Sequence, residues 1–144
     1  MKRVFLVIFW CIVIFLVAWF YYVQIPSRNA MQYNDWLKIF QEEISKDKNL
    51  SNRDIQISII SKSSPELQWQ INQHTKDITP EKIIRLLNQL KIIEVFNNNM
   101  ASDEDDLLVQ VEDNGKVFQG RIHMNDVKNN IRVKVLFQLL DAYK

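Results

Sequence analysis

Histidine, cysteine and serine are the side chains of this sequence from which metal-binding or nucleophilic chemistry would be built. The two histidines, His74 and His123, form no H-E-x-x-H, H-x-H or similar spacing, so we expect no zinc site and interpret each as a plain surface residue. The single cysteine, Cys11, excludes an internal disulfide and a cysteine-based metal cluster. No serine stands in a G-x-S-x-G elbow. The sequence therefore predicts no catalytic residue, no metal and no cofactor, and we expect a protein that is not an enzyme.

Four consecutive acidic residues, from Asp103 to Asp106, form the one charge cluster of the sequence. Carboxylates can bind a divalent cation, but this run lacks the D-x-D-x-D-G spacing and the distal Glu of an EF-hand loop. We interpret it as a solvated loop that leads into a strand, and an acidic patch for a basic partner is the alternative. An enzyme that pairs Glu112 with an acid of this loop is a further alternative, which would require a pocket near Glu112 and His123.

Composition excludes two other classes of partner. The chain has two glycines, Gly115 and Gly120, and neither begins a phosphate-binding G-x-G-x-x-G or Walker pattern. Setting aside Lys2 and Arg3, 16 of the 18 basic residues remain against 17 acidic ones. A domain so close to neutrality has no global field for nucleic acid, so we expect no nucleic-acid partner.

An uninterrupted apolar run precedes the residues that could position a site. It begins at Val4, ends at Val23 and contains no charge, Gly or Pro. Twenty helical residues span about 30 Å, the thickness of the hydrocarbon core of a bilayer. Lys2 and Arg3 precede the run, and this arrangement places the N-terminus in the cytoplasm. No small-x-small cleavage site follows, so we expect an uncleaved anchor rather than a signal peptide.

These features predict four parts: a cytoplasmic tail of residues 1–3, a transmembrane anchor of residues 4–23 in contact with the lipid bilayer, a linker of residues 24–29 and an exported domain of residues 30–144. An exported domain without disulfides is consistent with a bacterial periplasm. The predicted location is therefore the bacterial inner membrane, crossed once, with the C-terminal domain in the periplasm.

The first segment of the domain, residues 30–45, shows the three- and four-residue spacing of an amphipathic helix. Ser27 or Asn29 is the predicted cap at its start. Its apolar stripe consists of Tyr33, Trp36, Leu37, Phe40 and Ile44. The stripe has two interpretations, packing on the domain's own sheet or pairing with a helix of a partner beside the membrane. These five residues are the candidate partner-binding site.

Alternating apolar residues predict strands at 55–60 and 67–72, which form an antiparallel hairpin. Thr79 and Pro80 then begin a helix, and residues 92–96 extend it or form a short strand, which we favour. Asn114 and Gly115 specify a two-residue hairpin turn. Closing that turn pairs Val111 with Phe118, Val109 with Gly120 and Leu107 with Ile122, all on one face.

Residues 131–138 fit both a strand and a helix, and we expect a strand. The order helix, strand, strand, helix, strand, strand then predicts an α+β sandwich with an antiparallel sheet, ferredoxin-like or related. This layout resembles the small single-span subunits of type II secretion and type IV pilus inner-membrane platforms. The resemblance rests on the order of elements, and no residue role is carried over from it.

What the resemblance implies is a structural role in assembling an inner-membrane complex, with other inner-membrane proteins or a second copy of the chain as partners. Dimerisation would use the sheet and the helix beside the membrane. The alternative is a periplasmic sensor, inhibitor or module that binds cell wall or peptide. That alternative predicts a ligand groove on a monomeric domain.

Overall fold

The computed structural model describes residues 2–24, 27–47, 53–97 and 105–143, and within the first helix it describes the side chains of residues 8–19 alone. In these ranges the chain forms five α-helices: α1 (Lys2–Gln24), α2 (Arg28–Asp47), α3 (Pro80–Ile92), α4 (Met124–Asn129) and α5 (Ile131–Asp141). The strands are β1 (Ile55–Ser61), β2 (Gln68–Asn72), β3 (Leu107–Asp113) and β4 (Lys116–Ile122). The fold is therefore α+β, as the sequence predicts.

The hairpin of β3 and β4 has the register that the Asn-Gly turn predicts. Asn114 and Gly115 have positive φ angles of 49° and 81°, which the mirror-image hairpin turn requires. Val111, Val109 and Leu107 lie opposite Phe118, Gly120 and Ile122. The hairpin of β1 and β2 is antiparallel as well, with Ile57 opposite Ile71. Both predicted hairpins are confirmed.

The four strands form one antiparallel sheet in the order β2-β1-β3-β4. The first strand of each hairpin is central, whereas a ferredoxin-like chain with this order of elements has the second strand of each hairpin at the centre. The physical reason lies in the strands themselves. β1 and β3 carry the longest apolar alternations, and on each of them three successive inward-facing side chains are buried: Ile55, Ile57, Ile59, Leu107, Val109 and Val111.

Helices α2, α3 and α5 cover one face of this sheet, and their apolar side chains join the inner face in one core. The expectation of a strand at 131–138 is wrong, because these residues belong to α5. Val133, Leu136 and Leu140 are buried at helical spacing, while Ile131 is 72% exposed. The side chain of Asn130 accepts a hydrogen bond from the Arg132 N–H and caps the helix. The apolar residues of this segment fit both the two-residue period of a strand and the period of a helix. The buried residues recur after 3 and 4 positions, which is the spacing of a helix.

α3 begins where the sequence predicts, with Thr79 accepting a hydrogen bond from the Lys82 N–H and Pro80 as its first residue. The short strand expected at 92–96 is not formed. The chain turns at Glu94, whose φ is 56°, and continues as a 3-10 turn, Val95–Asn97. The Glu94 N–H donates to the Lys91 carbonyl, so the backbone stays coiled after the helix ends.

The 3-10 turn packs directly against β4 at Gly120. A Cβ atom added at Gly120 would lie 2.4 Å from the Val95 carbonyl oxygen and 2.6 Å from a Val95 methyl group. Since these are backbone and core atoms, the turn can approach the strand this closely only when residue 120 has no side chain.

Gly120→Ala is therefore expected to destabilise the domain by about 1–3 kcal/mol, the usual range for overpacking. The matched control is Gly115→Asn, because nothing lies within 4 Å of a Cβ at Gly115 and Asn tolerates positive φ. Urea unfolding followed by circular dichroism measures both variants. Equal stability of the two variants would contradict the proposed close approach.

Among the helical residues whose side chains the structure describes, no stretch is both long and apolar enough to cross a membrane. Residues 4–7 and 20–23 of the predicted span lie outside those described side chains. Residues 25 and 26 of the predicted linker also lie outside the described residues.

Candidate functional site

The start of α2 is fixed to the rest of the domain by Ser27 and Asn29. The Ser27 hydroxyl accepts a hydrogen bond from the Ala30 N–H and donates one of 2.8 Å to the Phe96 carbonyl, so the predicted cap is confirmed for Ser27. The Ser27 N–H donates to Asn97 Oδ1, and Asn29 Nδ2 donates to the Gln119 carbonyl at the outer edge of β4. The chain is thus held to the domain three residues after α1 ends.

The predicted stripe of α2 lies inside the domain. Tyr33, Trp36, Leu37, Phe40 and Ile44 are all at most 4% exposed. The Tyr33 ring is 4.0 Å from that of Phe96, and its hydroxyl donates to the Leu87 carbonyl at 2.8 Å. Burial raises the pKa of Tyr33 well above its usual value. The packing interpretation describes this placement, and binding a partner through these five side chains would require α2 to leave the core.

A buried carboxylate joins α2 to the ends of two strands. Asp113, 4% exposed, accepts hydrogen bonds of 2.9 Å from Arg53 Nε, Arg53 Nη2 and Trp36 Nε1. The same guanidinium donates to Glu43 and lies 4.6 Å above the Phe40 ring. The hydrogen bond to Asp113 is the largest cause of the raised pKa of Arg53. Because its donors and acceptors are paired with one another, this network stabilises the fold and offers no reactive group.

His123 is not the plain surface residue that the sequence suggests. Its Nδ1 lies 2.9 Å from Oδ1 of Asp106, whose side chain is only 3% exposed, while the histidine is 33% exposed. Asp106 is therefore a buried partner and not part of a solvated loop, and Asp105 alone of the described acids in that run is exposed. Asp103 and Glu104 lie outside the described residues.

The geometry of His123 and Asp106 is that of a carboxylate that orients an imidazole. Catalysis would need a nucleophile or a substrate pocket in addition, and the cavity lined by Asn29 and by residues of β3 and β4 includes neither His123 nor Asp106. Within the described part of the chain, no group of three histidines, cysteines or acids is placed to hold a metal ion. The pair joins the residue before β3 to the residue after β4, so it closes the open end of the hairpin.

The face of the sheet turned away from the helices carries twelve side chains in three cross-strand rows. From β2 to β4 the rows are Asn72, Gln56, Glu112 and Val117; Gln70, Ser58, Gln110 and Gln119; and Gln68, Ile60, Leu108 and Arg121. We call these residues the amide face, because six of the twelve are Asn or Gln and only two are charged. They are exposed or half-buried, whereas most of their neighbours along each strand are buried.

The central row of the amide face contains no charged residue. Within it Gln119 Nε2 donates to Gln110 Oε1 at 3.2 Å, and Gln56 Nε2 of the neighbouring row donates to the Ser58 hydroxyl at 3.3 Å. Amides both donate and accept hydrogen bonds, and removing them from water costs less than removing charges. Protein interfaces are depleted in Lys, Glu and Asp at their centres, and this face shares that scarcity of charge.

A cavity of about 370 Å³ lies at the β4 end of the amide face. Its lining consists of Asn29, Leu108, Val109, Gln110, Gln119, Gly120 and Arg121. Gln110, Gln119 and Arg121 place polar side chains in this lining beside the apolar side chain of Leu108. Such a lining suits a small polar ligand or one side chain of a partner.

The amide face is the part of the site that the sequence prediction missed, although the signal was present. Seven of the nine polar residues on this face of the two predicted hairpins are Gln, Asn or Ser, where a solvated strand face ordinarily carries Lys and Glu. Comparison of the chain with protein-family models, with curated proteins and with solved structures gives no match.

Proposed function

We propose that the chain is a non-catalytic subunit held in a bacterial inner membrane by its N-terminal helix, and that its domain beyond the membrane assembles with other inner-membrane proteins. A secretion or pilus-type machine is the proposed setting. The observation that carries the proposal is the amide face, a nearly uncharged sheet surface that no described helix covers.

The membrane attachment in this proposal rests on the uncharged run from Val4 to Val23 and on the basic residues Lys2 and Arg3 before it. The start of the domain supports the same arrangement. Ser27 forms hydrogen bonds with the 3-10 turn, and Asn29 forms one with the edge of β4. Only a short segment of chain therefore connects the proposed anchor to the sheet. A subunit that holds a surface at a fixed place beside a membrane needs such a junction.

The experiment is extraction of the full-length protein from its native membrane in mild detergent, followed by identification of the proteins that co-purify. Gln110→Lys places a charge at the centre of the amide face and is expected to abolish stoichiometric recovery of the partners, because an unpaired charge in an interface is costly. Gln32→Lys is the matched control, since Gln32 is exposed on α2 and faces away from the sheet. Circular dichroism verifies that both variants fold.

Recovery of partners with the wild type and with Gln32→Lys, but not with Gln110→Lys, would support the proposal. A protein that is always extracted without companions would contradict it. So would a protein found wholly in the soluble fraction, because the proposed anchor would then be wrong.

A second candidate function is a sensor, an inhibitor or a module that binds peptide or cell wall, and the cavity beside Gln110 and Gln119 favours it. This candidate predicts that the purified protein without companions binds short peptides or glycan fragments. Gln119→Leu is expected to weaken that binding, since it removes an amide from the cavity wall. Retained partner recovery by the same variant would separate the two functions.

A further inference from the structure

The two edges of the sheet differ. The outer edge of β4 is occupied by the chain itself, because Asn29 donates to the Gln119 carbonyl and the 3-10 turn packs against Gly120. The other edge is β2, and its backbone pairing can be read from the register. The Ser61 N–H donates to the Leu67 carbonyl, so this opposed pair is hydrogen-bonded.

Antiparallel pairs alternate between hydrogen-bonded and non-bonded, so the next bonded pairs along the hairpin are Ile59 with Trp69 and Ile57 with Ile71. The N–H and C=O groups of Gln68, Gln70 and Asn72 consequently point outwards. Those of Asn72 are engaged, since its N–H donates to Thr75 Oγ1 and its carbonyl accepts from the Thr75 N–H. In the described part of the chain, the outward backbone groups of Gln68 and Gln70 have no partner.

The sequence of β2 lacks the usual protection of an edge. Natural edge strands carry Lys, Pro, a bulge or an inward charge that prevents pairing with another chain. β2 reads Q-W-Q-I-N, and Gln68 and Gln70 are exposed. A strand that is uncharged on its open side can meet an identical strand without repulsion between like charges.

We infer that β2 is the site at which a second copy of this chain pairs, antiparallel and about a two-fold axis at Trp69, to form a continuous eight-stranded sheet. In this register Gln68 of each copy lies opposite Gln70 of the other, and all four free backbone groups of each edge are used, giving four hydrogen bonds. A register centred on Gln70 would instead place Gln68 opposite Asn72, whose groups Thr75 already occupies. Closed two-fold pairing also leaves no further edge for growth.

Four backbone hydrogen bonds are a small interface, so the pairing depends on concentration. The inference of pairing rests on the proposed function, because anchoring in a membrane raises the effective concentration of the two copies. Pairing would also join the two amide faces across Gln68 and Gln70, doubling the width of the uncharged surface. The dimer would then be the unit that presents the amide face to other proteins.

The register is tested by disulfide cross-linking of the full-length protein in its membrane, in a Cys11→Ala background. One tagged copy carries Gln68→Cys and a second, differently tagged copy carries Gln70→Cys. Opposed residues of a bonded antiparallel pair have Cα atoms about 5.5 Å apart, which a disulfide spans. Gln68 and its own copy would be about 8 Å apart, beyond the limit of about 7 Å.

Mixed dimers between the two tagged copies, with few dimers of either copy alone, are the expected result. Predominant cross-linking of the Gln70→Cys copy with itself would overturn the register, and no cross-linking in the mixture would overturn the pairing. The second variant combines Gln68→Lys with Gln70→Lys, which brings four like charges together at the paired edges and is expected to abolish the dimer. Energy transfer between labelled copies measures the dimer without using lysine chemistry. Gln110→Lys lies away from the edge and is expected to retain that dimer.

The failure of this inference is distinguishable from failure of the proposed function. If partners co-purify while energy transfer and cross-linking are absent, the amide face is an assembly surface and β2 is not a self-pairing edge. If the copies pair while no partner is recovered, the edge is established and the assembly role is wrong.

Discussion

Phe40→Ala is expected to destabilise the folded domain by about 3–5 kcal/mol, the range for removing a buried phenylalanine ring. Phe40 is fully buried, its ring lies 5.2 Å from that of Trp36, and the Arg53 guanidinium lies 4.6 Å above it. The substitution therefore leaves a cavity and also removes the surface on which the guanidinium rests. Because domains are stable by only about 5–15 kcal/mol, this loss is a large fraction of the total free energy of unfolding. Urea unfolding followed by circular dichroism measures the loss.

The neighbouring residue provides the control. Ile39 is 53% exposed on the same helix, so Ile39→Ala is expected to change the stability by no more than about 0.5 kcal/mol. If Phe40→Ala were as stable as Ile39→Ala, α2 would not pack as described. If Phe40→Ala, or another substitution in the apolar stripe of α2, abolished recovery of a partner, unfolding of the domain would explain the result, and no contact would be identified. Substitutions on the amide face can identify a contact with a partner.

Local sequence signals predicted the parts of the fold whose pairing is set by one short motif. Asn114 and Gly115 require a two-residue turn, and once the turn is closed every pair of β3 and β4 follows by counting. The cap at Thr79 was equally local. The stripe of α2 was recognised as apolar, and its burial against Phe96 and Phe118 is the commoner fate of such a stripe.

Features that depend on contacts between distant segments were not predictable in this way. Residues 131–138 fit both a strand and a helix until it is known that Val133 and Leu136 face the core from α5. His123 and Asp106 are 17 residues apart, and nothing in an acidic run indicates that its last member is buried. The strand order has the same origin, because it depends on which apolar strands occupy the centre of the sheet.

Asp113→Ala is expected to destabilise the domain by about 3–5 kcal/mol, because it leaves the Arg53 guanidinium and the Trp36 N–H without their acceptor in a largely buried site. The substitution would remove the hydrogen bonds that join three parts of the fold: α2, Arg53 ahead of β1, and the end of β3. Urea unfolding gives the magnitude, and Glu112→Ala is the matched control, since Glu112 is a half-buried carboxylate on the amide face one residue away. An equal effect of the two substitutions would contradict a special role for Asp113.

A double substitution separates the loss of an attraction from the burial of an unpaired charge. If the guanidinium left without Asp113 is the main cost, Arg53→Met combined with Asp113→Leu is expected to be more stable than Asp113→Ala alone, because apolar residues of similar size often replace a buried ion pair at little cost. The Trp36 N–H would still lack its acceptor, so recovery is expected to be partial, short of wild type by about 1–3 kcal/mol. A double variant less stable than Asp113→Ala would instead indicate that the guanidinium stabilises the domain through Glu43 and the Phe40 ring. In either case the network acts on stability, and recovery of co-purifying partners by the folded variants is expected to be unchanged, since none of its residues belongs to the amide face.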